Sequence, residues 1–108
     1  MEFLSEPSWP ATAVDRHGHN IYMTFERWEH ALGHPAMHDG LLDAVMDTIR
    51  EGSRRPDKYM PAKFSYIHEF FDLPEPYRHV VVVVKMGWTD NPPGPNNFIL
   101  TAYLIQKW

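Results

Sequence analysis

Five consecutive valines at positions 80–84 limit the folds open to this chain more than any other feature. β-Branched residues without polar alternation are typical of a strand that is buried on both faces, at the centre of a sheet. We predict this strand at residues 78–86. The valines form the longest apolar run, far shorter than the ~18 residues of a membrane span, so we expect no membrane association.

Residues 63–71 and 98–106 have the two-residue period of strands, and a shorter strand is predicted at residues 58–60. In the last strand Thr101 and Tyr103 fall on the same face, so their hydroxyl groups can point into one groove. The alternative is that both are ordinary strand residues, because Thr and Tyr have high β-propensity.

Two helices are predicted in the first half of the chain. Thr24 is a favourable N-cap for a helix at residues 25–33. Asp39 caps a second predicted helix at residues 40–51, in which apolar residues recur with helical period.

The order of these elements predicts an α+β fold with two N-terminal helices packed on a three- to four-stranded antiparallel sheet. The length of 108 residues fits a single domain. Within it we expect residues 1–20 to form an irregular leader and residues 21–108 to form the α+β domain. The proline-rich residues 88–97 are expected to be a loop.

Cysteine is absent, which excludes disulfides, thiolate zinc sites and cysteine nucleophiles. A reducing compartment fits this composition, and we expect a cytoplasmic protein. The ten Lys and Arg residues against fourteen Asp and Glu give a net charge of −4. This balance argues against a protein that coats nucleic acid by bulk charge.

The positive charge is concentrated in residues 50–85, which hold seven basic and five acidic residues. Its core is a basic cluster interleaved with aromatic residues: Arg54, Arg55, Lys58 and Lys63. Such a segment can contact an RNA backbone and stack a base. The alternative is a solvated, charged loop.

Arg27, His30 and His34 fall on one face of the first predicted helix. An imidazole can both accept and donate a proton near neutral pH, and a guanidinium can hold a phosphate bidentately. These groups suit metal-free cleavage of a phosphodiester. The alternative is a solvent-exposed helix face, with His34 placed favourably near the helix C-terminus.

Two further sets of residues are candidates for a functional site. His30, His34 and His38 have the four-residue spacing of metal ligands, but Pro35 breaks the helix between them. We therefore expect no metal and no cofactor. Lys85 joins the hydroxyls of the last strand if the two strands pair, and is otherwise a solvated residue at a strand end.

The string Thr24-x-x-Arg27-Trp28-x-His30, followed by His34-Pro35 and by Asn-Phe-Ile-Leu-Thr-Ala-Tyr at 97–103, resembles a known group of proteins. It is similar to the small phage-type members of the barnase/EndoU/colicin/RelE-like nuclease group, over residues 21–105. The resemblance implies two N-terminal helices and a four-stranded antiparallel sheet. It also implies a toxin-like, metal-independent endoribonuclease, whose partners are an RNA substrate and an antitoxin or immunity protein.

In this group the ribose 2′-hydroxyl attacks the adjacent phosphorus and leaves a 2′,3′-cyclic phosphate. The resemblance implies that His30 is the general acid or base, Arg27 stabilises charge at phosphorus and Thr101 orients the phosphate. His34 and Tyr103 match motif positions, with a catalytic or a structural role. The second acid–base group stays open among His68, His79 and Lys85.

A binding module on the same fold is the rival hypothesis. Such a protein would hold a nucleic acid or a partner protein without cutting it, and the acidic overall charge favours this reading.

Overall fold

A computed structural model describes residues 8–107 of the chain. Its elements in chain order are β1 (Ala11–Val14), β2 (Asn20–Met23), α1 (Phe25–Leu32), a 3₁₀ turn (Asp39–Leu41), α2 (Leu42–Glu51), β3 (Ser53–Pro56), β4 (Lys63–Glu69), β5 (His79–Lys85), β6 (Trp88–Asp90), β7 (Pro93–Pro95) and β8 (Asn97–Ile105).

The first helix forms where the sequence predicts it. The Thr24 side chain accepts a hydrogen bond from the backbone N–H of Arg27, which caps the N-terminus of α1. The second helix begins later than predicted, because a 3₁₀ turn precedes it. That turn is capped by His38, whose ring Nδ1 accepts from the backbone N–H of Gly40, and Asp39 is not the cap.

The α+β class is confirmed, but the predicted sheet of three to four strands is too small. Six strands form the main sheet in the order β1-β2-β8-β5-β4-β3, and every pairing is antiparallel except that of β2 with β8. The valine strand β5 lies inside the sheet, between β4 and β8, as predicted.

The additional strands come from segments with little hydrophobic pattern. β1 lies within the predicted irregular leader, and the strand expected at 58–60 is found instead at Ser53–Pro56 as β3. Both are four-residue edge strands, so neither needs a regular apolar face. The predicted loop at 88–97 contains the hairpin of β6 and β7.

The two faces of the main sheet are covered differently. Both helices pack on one face, where Trp28 and Ile49 join alternate valines of β5, such as Val82, in the main core. The other valines, Val81 and Val83, lie in a smaller apolar cluster on the opposite face. That second face carries no described helix. No helix within residues 8–107 is long and apolar enough to cross a membrane.

Candidate functional site

A hydrogen bond joins the two ends of the sequence pattern. His34 follows the last turn of α1 and Thr101 lies on β8, and the His34 Nε2 and Thr101 Oγ1 atoms are 3.1 Å apart. Either atom can donate, depending on the imidazole tautomer. Both residues are half-buried, so a ligand can reach the pair from solvent.

Two more aromatic side chains complete this cluster. The His34 ring lies 5.6 Å from the ring of Tyr103 and 5.9 Å from the ring of His30, measured between centroids. His30 is exposed, and none of residues 8–107 forms a hydrogen bond with its ring nitrogens or with the Tyr103 hydroxyl. These polar groups are therefore available to a ligand. We call His30, His34, Thr101 and Tyr103 the histidine–threonine cluster.

The topology explains why these residues meet. β8 pairs with β2 only at Asn97 and Phe98, so α1 packs along the rest of that strand. The register of β5 with β8 also shifts beside Thr101, where Val83 faces Thr101 but the next valine faces Ile99. Such a bulge re-aims side chains and is frequent next to functional sites.

Arg27 lies in the first turn of α1, whereas His34 follows the C-terminal end of that helix. It lines a cavity of about 310 Å³ with Tyr22 and Phe98. Within residues 8–107 its guanidinium has no hydrogen bond or ion pair. Arg27 is thus close to the cluster along the crevice between α1 and β8, but it is not in contact with His34.

The three candidates for a second acid–base group occupy different places. Lys85 is on the strand next to Thr101, as the pairing hypothesis requires, but it is level with Phe98 and not with Thr101.

The histidine candidates lie on different faces of the sheet. His79 lies on the helix-free face, level with Ile105. His68 is paired with Val80 and therefore lies on the helix-covered face, away from the cluster. The His30 ring, in contrast, lies beside the His34 ring.

The predicted basic cluster is divided by the sheet. Arg54 and Arg55 are neighbours on β3, so their side chains lie on opposite faces. Arg55 and Lys58 line a cavity of about 320 Å³ on the helix-free face, and Tyr103 forms part of its wall. Lys63 lines a separate cavity of about 340 Å³ with Lys85.

Arg54 belongs to a second polar cluster, on the helix-covered face. Its guanidinium lies over the Phe64 ring, 4.7 Å from the centroid, and 3.8 Å from the carboxylate of Asp15. The Asp15 side chain is only 1% exposed and accepts hydrogen bonds from the Tyr66 hydroxyl and from the backbone N–H groups of His17 and His19.

These contacts control two pKa values. Burial raises the pKa of Asp15, but the hydrogen bonds from Tyr66, His19 and His17 outweigh it and hold the pKa below its ordinary value. Burial, followed by the hydrogen bond to Asp15, raises the pKa of Tyr66 well above its ordinary value. Asp15 therefore stays ionised, and we call Asp15, Arg54 and Tyr66 the aspartate cluster.

The histidines spaced four apart do not converge. His38 caps the 3₁₀ turn through its Nδ1 atom, while His34 is turned towards Thr101. No group of three or more His, Asp or Glu side chains within the described residues 8–107 is arranged to hold a metal ion.

Comparison with known proteins finds no matching protein-family model, no significantly similar curated protein and no significantly similar solved structure. The functional conclusion therefore depends on the geometry and chemistry of the residues themselves.

Sequence reasoning missed the aspartate cluster and gave Arg54 a different role. Asp15 begins a turn with Gly18 at a positive φ of 84°, and its carboxylate receives two backbone N–H groups of that turn. An aspartate followed three residues later by glycine was a usable signal for this turn. The partners Arg54 and Tyr66 depend on the sheet register and had no such signal.

Proposed function

We propose that this protein is a metal-independent endoribonuclease that holds the scissile phosphate at His34 and Thr101. The observation that carries the proposal is the hydrogen bond between these two side chains, which are 67 residues apart in the sequence. An imidazole and a hydroxyl that meet at a half-buried position can contact an anionic phosphodiester from solvent.

The reaction needs one group to accept a proton and one to donate a proton. The ribose 2′-oxygen forms a bond to phosphorus as one imidazole takes the 2′-hydroxyl proton. The bond from phosphorus to the 5′-oxygen breaks as the other imidazole gives that oxygen a proton. The products are a 2′,3′-cyclic phosphate and a 5′-hydroxyl. His30 and His34, with rings 5.9 Å apart, suit these two roles.

Three other side chains support this reaction. The Thr101 hydroxyl orients the His34 ring before the substrate arrives and then contacts a phosphate oxygen. The Tyr103 ring packs beside His34, and its hydroxyl, which no residue of 8–107 hydrogen-bonds, can contact the substrate. Arg27, on α1, provides a positive charge that can bind a phosphate of the RNA backbone.

The test is incubation of the purified protein with total RNA in excess EDTA, followed by identification of the 3′ ends of the fragments. Cleavage that leaves cyclic phosphates and is lost in His34→Ala supports the proposal. His38→Ala is the matched control, because His38 is an exposed histidine four residues away that caps a different element. Equal cleavage by His34→Ala and the wild type overturns it.

A non-catalytic binding module is the second candidate. The helix-free sheet face favours it, because this face combines the apolar residues Ile67, Val81 and Val83 with a cavity edged by basic side chains. A binding module would retain RNA affinity and show no turnover in the same assay. The toxin-like role, the antitoxin or immunity partner and the cytoplasmic location stay predictions.

A further inference from the structure

The cavity of about 320 Å³ on the helix-free face lies directly beside the histidine–threonine cluster. Tyr103 belongs to both, because its ring contacts His34 and also lines the cavity. Ile67 and Val81 form an apolar part of the lining. A cavity of this size with an aromatic and apolar part to its lining is suited to one planar ring system.

The strand register places a basic side chain at a defined distance from Thr101. Thr101 is paired with Val83, Val83 with Ser65, and Ser65 with Arg55. These four residues form one row across the sheet. Since neighbouring strands are about 4.8 Å apart, the row is about 14 Å long. A chain that crosses the strands along this row passes from Thr101 over the cavity to Arg55.

The second basic group of the cavity is held in place by its loop. The carboxylate of Asp57 accepts hydrogen bonds from the backbone N–H groups of Tyr59 and Met60, at 2.9 and 2.8 Å. These hydrogen bonds lower the pKa of Asp57 and close the turn that carries Lys58. Asp57 also lines the cavity, but its charge is directed to the backbone of its own turn.

We infer that this cavity binds the nucleotide next to the scissile phosphate of a single-stranded RNA. The base lies against Tyr103 and the apolar lining, and the next backbone phosphate lies against Arg55 and Lys58. The inference rests on the proposed function for the identity of the scissile phosphate. A base in a duplex is stacked on both faces and paired along one edge, so it cannot enter the cavity, and the substrate must be unpaired here.

The experiment compares oligoribonucleotides of two and six residues, each a random-sequence pool. Each pool is incubated with three proteins: the wild type, the double variant Arg55→Ala/Lys58→Ala and the control Arg50→Ala. Arg50 is an exposed arginine on α2, so its variant removes the same charge from the helix-covered side. We measure kcat/KM on both lengths and the affinity for 2′-O-methyl hexamers, which lack the attacking hydroxyl.

The wild type is expected to cleave the hexamer about tenfold better than the dimer, and the double variant to lose this advantage. Cleavage of the dimer by the double variant falls by a smaller factor than cleavage of the hexamer, and all activities of Arg50→Ala stay unchanged. In the 2′-O-methyl assay, the double variant reduces the magnitude of the slope of log affinity against log salt by about 0.7, as expected for the loss of one neutralised phosphate.

Equal losses of kcat/KM on the dimer and the hexamer would overturn the proposed nucleotide-binding site, and so would an unchanged salt slope. A 2′-O-methyl duplex that binds as tightly as the single strand would overturn the single-strand requirement. The affinity assay is independent of turnover. If the wild type cleaves neither length but the salt slope still falls in the double variant, the catalytic proposal fails while the nucleotide site is supported.

Discussion

The aspartate cluster and the histidine–threonine cluster lie on opposite faces of one sheet, and they differ in burial and in hydrogen bonding. Asp15 is 1% exposed, and hydrogen bonds reach it from a side chain and from two backbone groups. In contrast, His34 and Thr101 are half-buried and share a single hydrogen bond. A buried group must be fully hydrogen-bonded to be tolerated, whereas a group that binds a ligand must keep donors and acceptors free.

From this difference we expect the aspartate cluster to stabilise the fold and the histidine–threonine cluster to act on the proposed substrate. Changes in the aspartate cluster should lower the free energy of unfolding. Changes in the histidine–threonine cluster should lower the rate of cleavage with little effect on stability.

The largest effect is expected for His34→Ala. Loss of a general acid or base lowers kcat/KM by about 10²- to 10⁴-fold. Because His34 is half-buried and its ring has one hydrogen-bond partner, the free energy of unfolding should change by less than about 1 kcal/mol. Both quantities are measured on the same preparation, by RNA cleavage and by urea unfolding. A His34→Ala variant that is strongly destabilised, or that is as active as His38→Ala, would contradict the assignment of His34 to cleavage and not to stability.

Asp15→Asn is expected to have the largest effect on stability. The amide cannot replace the carboxylate opposite Arg54, and breaking a buried ion pair costs about 3 kcal/mol. For a domain of this length the melting temperature should fall by about 12 °C or more. Differential scanning calorimetry measures the shift.

Asp47→Asn is the matched control for Asp15→Asn. It removes an exposed carboxylate that pairs with Arg50, at 2.8 Å, and should change stability by less than about 1 kcal/mol. Below the melting temperature, Asp15→Asn should cleave RNA at the wild-type rate. A lower rate per folded molecule would show that the two clusters are coupled.

Thr101→Val is expected to lower kcat/KM by about tenfold, the equivalent of one neutral hydrogen bond. Valine has nearly the same shape and suits a strand, so the fold should be kept. Thr89→Val, in the hairpin of β6 and β7, is the control for a hydroxyl outside the cluster. Unchanged cleavage by Thr101→Val would remove its hydroxyl from the reaction.

The smallest effect is expected for the pH dependence of stability, which tests the contribution of the Asp15 carboxylate. The pKa of its carboxyl is lower in the folded state than its ordinary value of 3.8. Its contribution to stability is therefore fully present above that ordinary value and is lost as the pH falls through the folded pKa. Urea unfolding should show the wild type and Asp15→Asn converging in stability below about pH 4. A constant difference down to pH 2 would contradict this assignment.

The sequence was most informative where one face of an element had to be buried. The valine run predicted an internal strand, and the Thr24 cap predicted the start of α1; both are confirmed. β1 and β3 were missed because edge strands of four residues carry little apolar pattern.

The candidate site could be predicted only in part. The helical face and the last strand were each visible from residue spacing, but that His34 rather than His30 contacts Thr101 depends on the turn after α1. Helical period ends at Gly33, so spacing alone could not place the His34 ring. Similarly, side chains alternate between the two faces of the sheet along β3, so Arg54 and Arg55 must lie on opposite faces. No sequence pattern indicated that Arg54 is the one on the helix-covered face.

The most direct test of metal-free cleavage at His34 and Thr101 is the cleavage rate of one oligoribonucleotide in excess EDTA. The rate is compared with that of the same sequence carrying 2′-O-methyl groups, and with that of His34→Ala. We predict cleavage by the wild type of the 2′-hydroxyl substrate alone, with cyclic-phosphate ends, and a rate at least about 100-fold lower in His34→Ala. Cleavage of the 2′-O-methyl substrate, or an unchanged rate in His34→Ala, would contradict the account.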